Sequence, residues 1–183
     1  MSRKRAASKG KEINPHFWVF CEGETEKAYV LFLRSLYRIQ IDIIPKIVGN
    51  KVTSMNIRKH KQGQPVHEKD RDFLMYDADV PEVLEKLKSI QSATLIASNP
   101  CIELWFLLHY KNQVINTTCK ECIHELCNRD RNDYKKGIID IKLKSKLSEN
   151  LNEACKRAKK LTLFENPSSN LYELIEELEN ARK

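Results

Sequence analysis

Apolar residues along this chain come in two rhythms. From Phe17 to Cys21 they are continuous, which predicts a strand buried on both faces, since a strand with one wet face would alternate. The run stops at "EGETE", and beyond it Tyr29, Phe32, Leu33, Leu36 and Tyr37 recur at helical spacing on one face. Thr25 is a candidate N-cap for that helix, with Glu26 in its first turn, where the helix dipole favours negative charge. The opening unit is thus strand, tight turn, helix.

The same alternation continues. "IDIIPKIV" (Ile41 to Val48) reads as a second strand that Pro45 confines to a sheet edge or a bulge. The polar segment from Gly49 to Asp72 reads as a long loop or a weak helix, and "FLMYDAD" (Phe73 to Asp79) as a third strand. Pro81 suits the first turn of a helix whose Val83, Leu84, Leu87 and Ile90 share a face. "ATLIAS" (Ala93 to Ser98) is a fourth strand, and Asn99-Pro100 forms a cap and first-turn pair for the apolar helix "CIELWFLLHY". From Thr117 the pattern is helical apart from a turn at "DYKKG", and Asn166-Pro167 caps a last helix bearing Leu171, Leu174, Ile175 and Leu178.

Strands alternating with helices over short connections predict an α/β fold: a mostly parallel sheet of about four strands flanked by helices, with a C-terminal helical region. The expected divisions are a basic disordered tail over 1–15, an α/β core over 16–112 and a helical region packed on it over 113–183.

Acids at strand ends give this frame its candidate chemistry. Glu22 follows the first strand, and Asp77 with Asp79 ends the third, at the strand termini where open α/β sheets bind ligands. On a continuing strand Asp77 and Asp79 would face one side and could hold a hard cation, with Glu22 as a further ligand or a general base. Mg²⁺ needs only one or two carboxylates and keeps waters for phosphate oxygens, so the pattern suits phosphoryl chemistry. Ordinary strand-end polarity also accounts for these acids, and Asp79 could simply cap the helix opened by Pro81. Glu103 is the lone charge between Pro100 and Tyr110; counted from Asn99 it falls at N4, outside a capping box, and must be paired, protonated or cation-bound. The paired alternative needs a Lys or Arg reaching in from elsewhere.

Charge extends the picture to partners. The net charge is +7 and the pI about 9.1, which favours a polyanion. The basic residues cluster, in the tail (Arg3, Lys4, Arg5, Lys9, Lys11), at Arg58, Lys59 and Lys61, at Lys135 and Lys136, and between 142 and 160. These are candidate phosphate contacts, although a lysine-bearing turn such as Lys135-Lys136 is explained equally by exposure. No run approaches the roughly 18 apolar residues of a membrane span and no signal peptide is visible, which predicts a cytoplasmic protein with reduced thiols and no membrane partner. "CKECIHELC" offers Cys119, Cys122, His124 and Cys127, but a probable helix with no second CxxC argues against zinc there. His109 is expected as a surface-edge histidine.

The blocks "CEGETE", "DAD", "SNPCIELWFLLHY", "DYKKG", "EACKRAKKL" and "NPSSNLYELIEEL", in order from about Phe17 to Leu178, resemble the RloB family. Glu22-Gly23 after a buried strand and Asp77-x-Asp79 after a later one are similar to the TOPRIM fold of topoisomerases, bacterial primases and OLD-family nucleases. The resemblance implies a metal-dependent nuclease or hydrolase of restriction loci and antiviral defence, of the abortive-infection kind. In it Glu22 is the general acid/base and a metal ligand, Asp77 and Asp79 bind Mg²⁺ (or Mn²⁺), and Glu26 and Glu103 are accessory acids. Ala78 stands where a charged residue is frequent in the family, and Ser169 where threonine is common. The alternative is a non-catalytic nucleic-acid-binding or regulatory subunit that needs a partner protein from the same locus. DNA and RNA both remain candidate substrates, and the oligomeric state stays open.

Overall fold

The computed structural model describes residues 14–130 and 134–182; the basic residues expected to grip phosphate in the N-terminal tail lie outside them. Four parallel strands form the sheet: β1 (His16–Cys21), β2 (Asp42–Ile47), β3 (Arg71–Asp77) and β4 (Thr94–Asn99), in the order β2-β1-β3-β4. A fifth, β5 (Ser168–Ser169), pairs antiparallel with the end of β4. Two residues are too few to show a period, so this strand left no mark in the sequence. Pro45 lies on β2, the edge strand, where its missing N–H costs nothing.

Continuous apolar runs make β1 and β3 central, because each successive side chain has a core to enter. Phe17, Val19 and Cys21 of β1 and Phe73 and Met75 of β3 enter one apolar cluster, whereas Trp18, Phe20, Leu74 and Tyr76 enter another on the opposite face. The second cluster is closed by α2 (Ser54–Lys61) through Ile57 and by α3 (Pro81–Lys88) through Leu87. The larger first cluster is closed by α1 (Glu24–Tyr37) and α4 (Ile102–Leu108), then by α5 (Cys119–Asp130), α6 (Ile141–Glu149), α7 (Leu151–Ala158) and α8 (Leu171–Arg182). Helices thus cover both faces, and the C-terminal helices share one core with the sheet. Burying a single large apolar side chain there contributes about 1.5–3 kcal/mol. Trp105, fully buried on α4, donates its indole N–H to the Tyr29 hydroxyl of α1 at 2.7 Å and ties the two helices together.

Several local expectations change. Of the predicted α1 face, Leu36 is exposed and the rest is buried. The N-cap of α1 is Gly23 rather than Thr25: the Gly23 N–H donates to Glu26 Oε2 at 2.9 Å, and Thr25 is buried, accepting from the Gly137 N–H at 3.0 Å. The polar 49–72 segment contains a 3-10 turn (Gly49–Lys51) and α2, whose N-cap is Thr53. α4 starts at Ile102 with Cys101 as N-cap, so Glu103 sits at N2, and Asn99, the last residue of β4, donates its side-chain amide to the Phe164 carbonyl at 2.9 Å. Asn166 likewise caps no helix; it makes two hydrogen bonds with the Thr117 backbone, at 3.0 and 2.8 Å. His109 is buried, with Nδ1 against the Trp105 carbonyl at 2.9 Å, and burial lowers its pKa to about 4.

Candidate active site

In the order β2-β1-β3-β4 the chain leaves β1 toward one edge and β3 toward the other, so the crevice beyond the carboxyl ends of β1 and β3 is the topological switch point where such sheets bind ligands. Glu22 and Asp77 stand at that point. The Glu22 N–H donates to the Met75 carbonyl at 3.1 Å, extending the β1–β3 pairing by one residue. Its side chain turns back so that Oε2 accepts the Asp77 N–H at 3.0 Å. Asp77 Oδ1 in turn accepts the N–H of Ile102, the first residue of α4, at 3.0 Å. One oxygen of each carboxylate is thereby fixed, while Glu22 Oε1 and Asp77 Oδ2 accept no hydrogen bond from the described residues.

Glu26 and Glu103 stand behind this pair. Both are buried, Glu26 at 5% exposure and Glu103 at 0%. Burial raises the Asp77 pKa to about 8, with the fields of Glu26, Glu22 and Glu103 adding to the shift. Burial also raises Glu26, against the opposing Gly23 hydrogen bond. Among the described residues no basic side chain forms an ion pair with Glu22, Glu26, Asp77 or Asp79. A carboxylate cluster without its own cation has a surplus of negative charge that a bound cation would relieve.

Asp79 differs from its expected placement. β3 ends at Asp77, so Asp79 is not on a continuing strand; it is exposed in the bend before α3, whose N-cap is Val80 rather than an acid. Among the described residues, the one trio of ligand-type atoms within 4.8 Å of each other is Cys101, Glu103 and Cys119, not Glu22, Asp77 and Asp79. The free oxygens of Glu22 and Asp77 still suit Mg²⁺, which requires few protein ligands and retains water.

Glu103 has the partner from elsewhere that its isolation required. The Tyr134 hydroxyl donates to Oε1 at 3.0 Å, Lys136 Nζ lies 3.7 Å from the same oxygen, and Cys119 Sγ lies 3.8 Å from Oε2. The 134–137 turn is anchored over the start of α1 through Gly137, whose φ of 78° and whose approach to Glu24, 3.3 Å from a would-be Cβ, both require glycine. Tyr134 was expected only as a phosphate or base contact in an exposed turn, and Cys101 was not marked as a site residue; its only signal was membership of the same block as Glu103. Lys135 is exposed, as are Arg58 and Lys59 on α2, whereas Lys61 is held by both Asp72 oxygens at 2.8 Å near the opposite end of β3 from Asp77. A cavity of 890 Å³ beside α2 is lined by Arg58, Lys59, Lys61 and Asp72 but by none of Glu22, Glu26, Asp77, Asp79 and Glu103.

No helix among the described residues is long and apolar enough to cross a membrane. No curated protein and no solved structure matches the chain significantly. The family model for RloB-like protein matches residues 17–178, from the first strand of the acidic crevice to the last buried leucine of α8, and the chain belongs to that family.

Proposed function

We propose that this chain is a metal-dependent nuclease of TOPRIM type, hydrolysing phosphodiester bonds of DNA or RNA in prokaryotic antiviral defence. The observation that carries the reading is the uncompensated pair Glu22 and Asp77, hydrogen-bonded to each other at the β1/β3 switch point with Glu26 and Glu103 buried behind. Mg²⁺, or Mn²⁺ in its place, supplies positive charge for the scissile phosphate when bound. Glu22 and Asp77 would hold it through their free oxygens, and Asp79, two residues beyond the end of β3, would be a further donor. Glu22 takes the proton of the attacking water or returns one to the leaving oxygen. Glu26 and Glu103 act through charge, keeping the crevice attractive to cations. Lys135 and the exposed bases of α2 grip the backbone without reading sequence.

The test is cleavage of labelled single- and double-stranded DNA, transfer RNA and messenger RNA by purified protein with Mg²⁺ or Mn²⁺, beside an Asp77→Asn, Asp79→Asn double variant. Metal-dependent cutting by the wild type alone supports the reading and names the substrate. If neither protein cuts while both bind nucleic acid equally, the isolated chain is a binding or regulatory subunit that needs a partner.

A further inference from the structure

Three cysteines from separate parts of the sequence meet beneath the acidic crevice. Cys101 precedes α4, and Cys119 and Cys122 lie one helical turn apart at the start of α5. The ligand atoms of Cys101, Glu103 and Cys119 all lie within 4.8 Å of one another. Cys101, Cys122 and Glu103 are buried, and Cys119 is partly open to solvent, which provides an entry path. We propose that Cys101, Glu103 and Cys119 form a binding site for a soft divalent cation, Zn²⁺ being the best match.

The donor chemistry and spacing agree with this. Thiolates select Zn²⁺ over Mg²⁺, and two Cys with one carboxylate supply three tetrahedral donors and leave the fourth position to water. Zn–S and Zn–O bonds of about 2.3 and 2.1 Å put neighbouring donor atoms about 3.6–3.8 Å apart in a tetrahedron. Cys119 Sγ and Glu103 Oε2 are 3.8 Å apart, already at that spacing, and both lie within 4.8 Å of Cys101 Sγ. Lys136 places a positive charge where the cation would sit, 3.5 Å from Cys119 Sγ and 3.7 Å from Glu103. Its ammonium, half-exposed beside two of the donors, would compete with the cation for them. The site shares Glu103 with the acids behind the Glu22–Asp77 pair but neither of that pair's carboxylates, and its test does not depend on the nuclease reading.

Co²⁺ titration of the reduced full-length protein tests the proposal, since tetrahedral thiolate ligation gives a sulfur-to-cobalt charge-transfer band and intense visible bands. The expected result is one equivalent of Co²⁺ with these bands, displaced by Zn²⁺ and unaffected by excess Mg²⁺. Cys119→Ser, at the partly open position, weakens binding at least about tenfold, whereas Lys136→Met tightens it by removing the competing ammonium. A folded wild type that shows no thiolate bands, bands that Mg²⁺ abolishes, or a Cys119→Ser protein with unchanged affinity would each overturn the assignment.

Discussion

The backbone N–H of Asp77 donates to Glu22 Oε2 at 3.0 Å, so the carboxylate that follows β1 is held across the end of β3 by the very residue it would share a cation with. The bond fixes one Glu22 oxygen and leaves the other available. Glu22→Gln keeps an acceptor for that N–H and should change stability little while abolishing cleavage. Glu22→Ala removes the acceptor and should cost about 1 kcal/mol as well. Urea denaturation beside an activity assay separates the two effects; equal destabilisation by both variants would contradict the assigned hydrogen bond.

Asp77 makes metal-free stability pH-dependent in an unusual direction. Its carboxyl has a folded pKa of about 8 against an ordinary value of 3.8, raised by burial first and by Glu26, Glu22 and Glu103 next. Between those values the folded state holds a proton that the unfolded chain has lost, so stability present at low pH is lost as pH rises from about 4 to 8. Asp77→Asn keeps the Oδ1 acceptor for the Ile102 N–H and should remove this slope, stabilising the metal-free protein at pH 8 by about 2 kcal/mol after allowance for partial exposure. Thermal melts in chelator across this range check it; parallel slopes for wild type and variant would count against a protonated Asp77.

Tyr29→Phe leaves the Trp105 indole N–H unpaired in a fully buried place between α1 and α4. The expected loss is about 1–3 kcal/mol in urea denaturation, with little effect on metal affinity, because the bond supports the scaffold and touches none of the acids. A loss below a few tenths of a kcal/mol would show that water or another group substitutes.

The basic candidates should separate by their partners. Lys135→Ala should weaken nucleic-acid binding to all sequences alike and reduce the salt slope by about 0.9 on double-stranded DNA. Lys61→Ala should leave binding unchanged, since Asp72 already holds that ammonium, and should lower stability instead. Fluorescence anisotropy at several salt concentrations distinguishes them, and a reversed order of effects would move the interface to the amino end of the sheet.

The crevice was legible because its carriers are local. Unbroken apolar runs mark β1 and β3 as central, and the first polar residues after such runs fall at the carboxyl edge whatever the rest of the chain does. Glu103 announced itself as the only charge in an apolar helix. Contacts between distant segments were not legible. Thr25 has the side chain of an N-cap, but the Gly137 N–H claims it, and Gly23 with Glu26 caps the helix instead. Asn99 and Asn166 looked like caps because Asn-Pro pairs often are, yet loop carbonyls and the Thr117 backbone occupy their amides. α2 buries only Ile57, too little to establish a helical period in a polar segment. The CxxC pair of Cys119 and Cys122 was visible, but its meeting with Cys101 and Glu103 was not, because they belong to a separate block.

The most direct test of a cation site at the β1/β3 crevice is Mn²⁺ binding measured by the loss of the free-ion electron paramagnetic resonance signal, for wild type and Asp77→Asn. The wild type should bind Mn²⁺ in competition with Mg²⁺ and more tightly as pH rises through about 8, while the folded variant should bind at least about tenfold more weakly. Equal binding by the two proteins, or no Mg²⁺-sensitive binding by either, would contradict such a site.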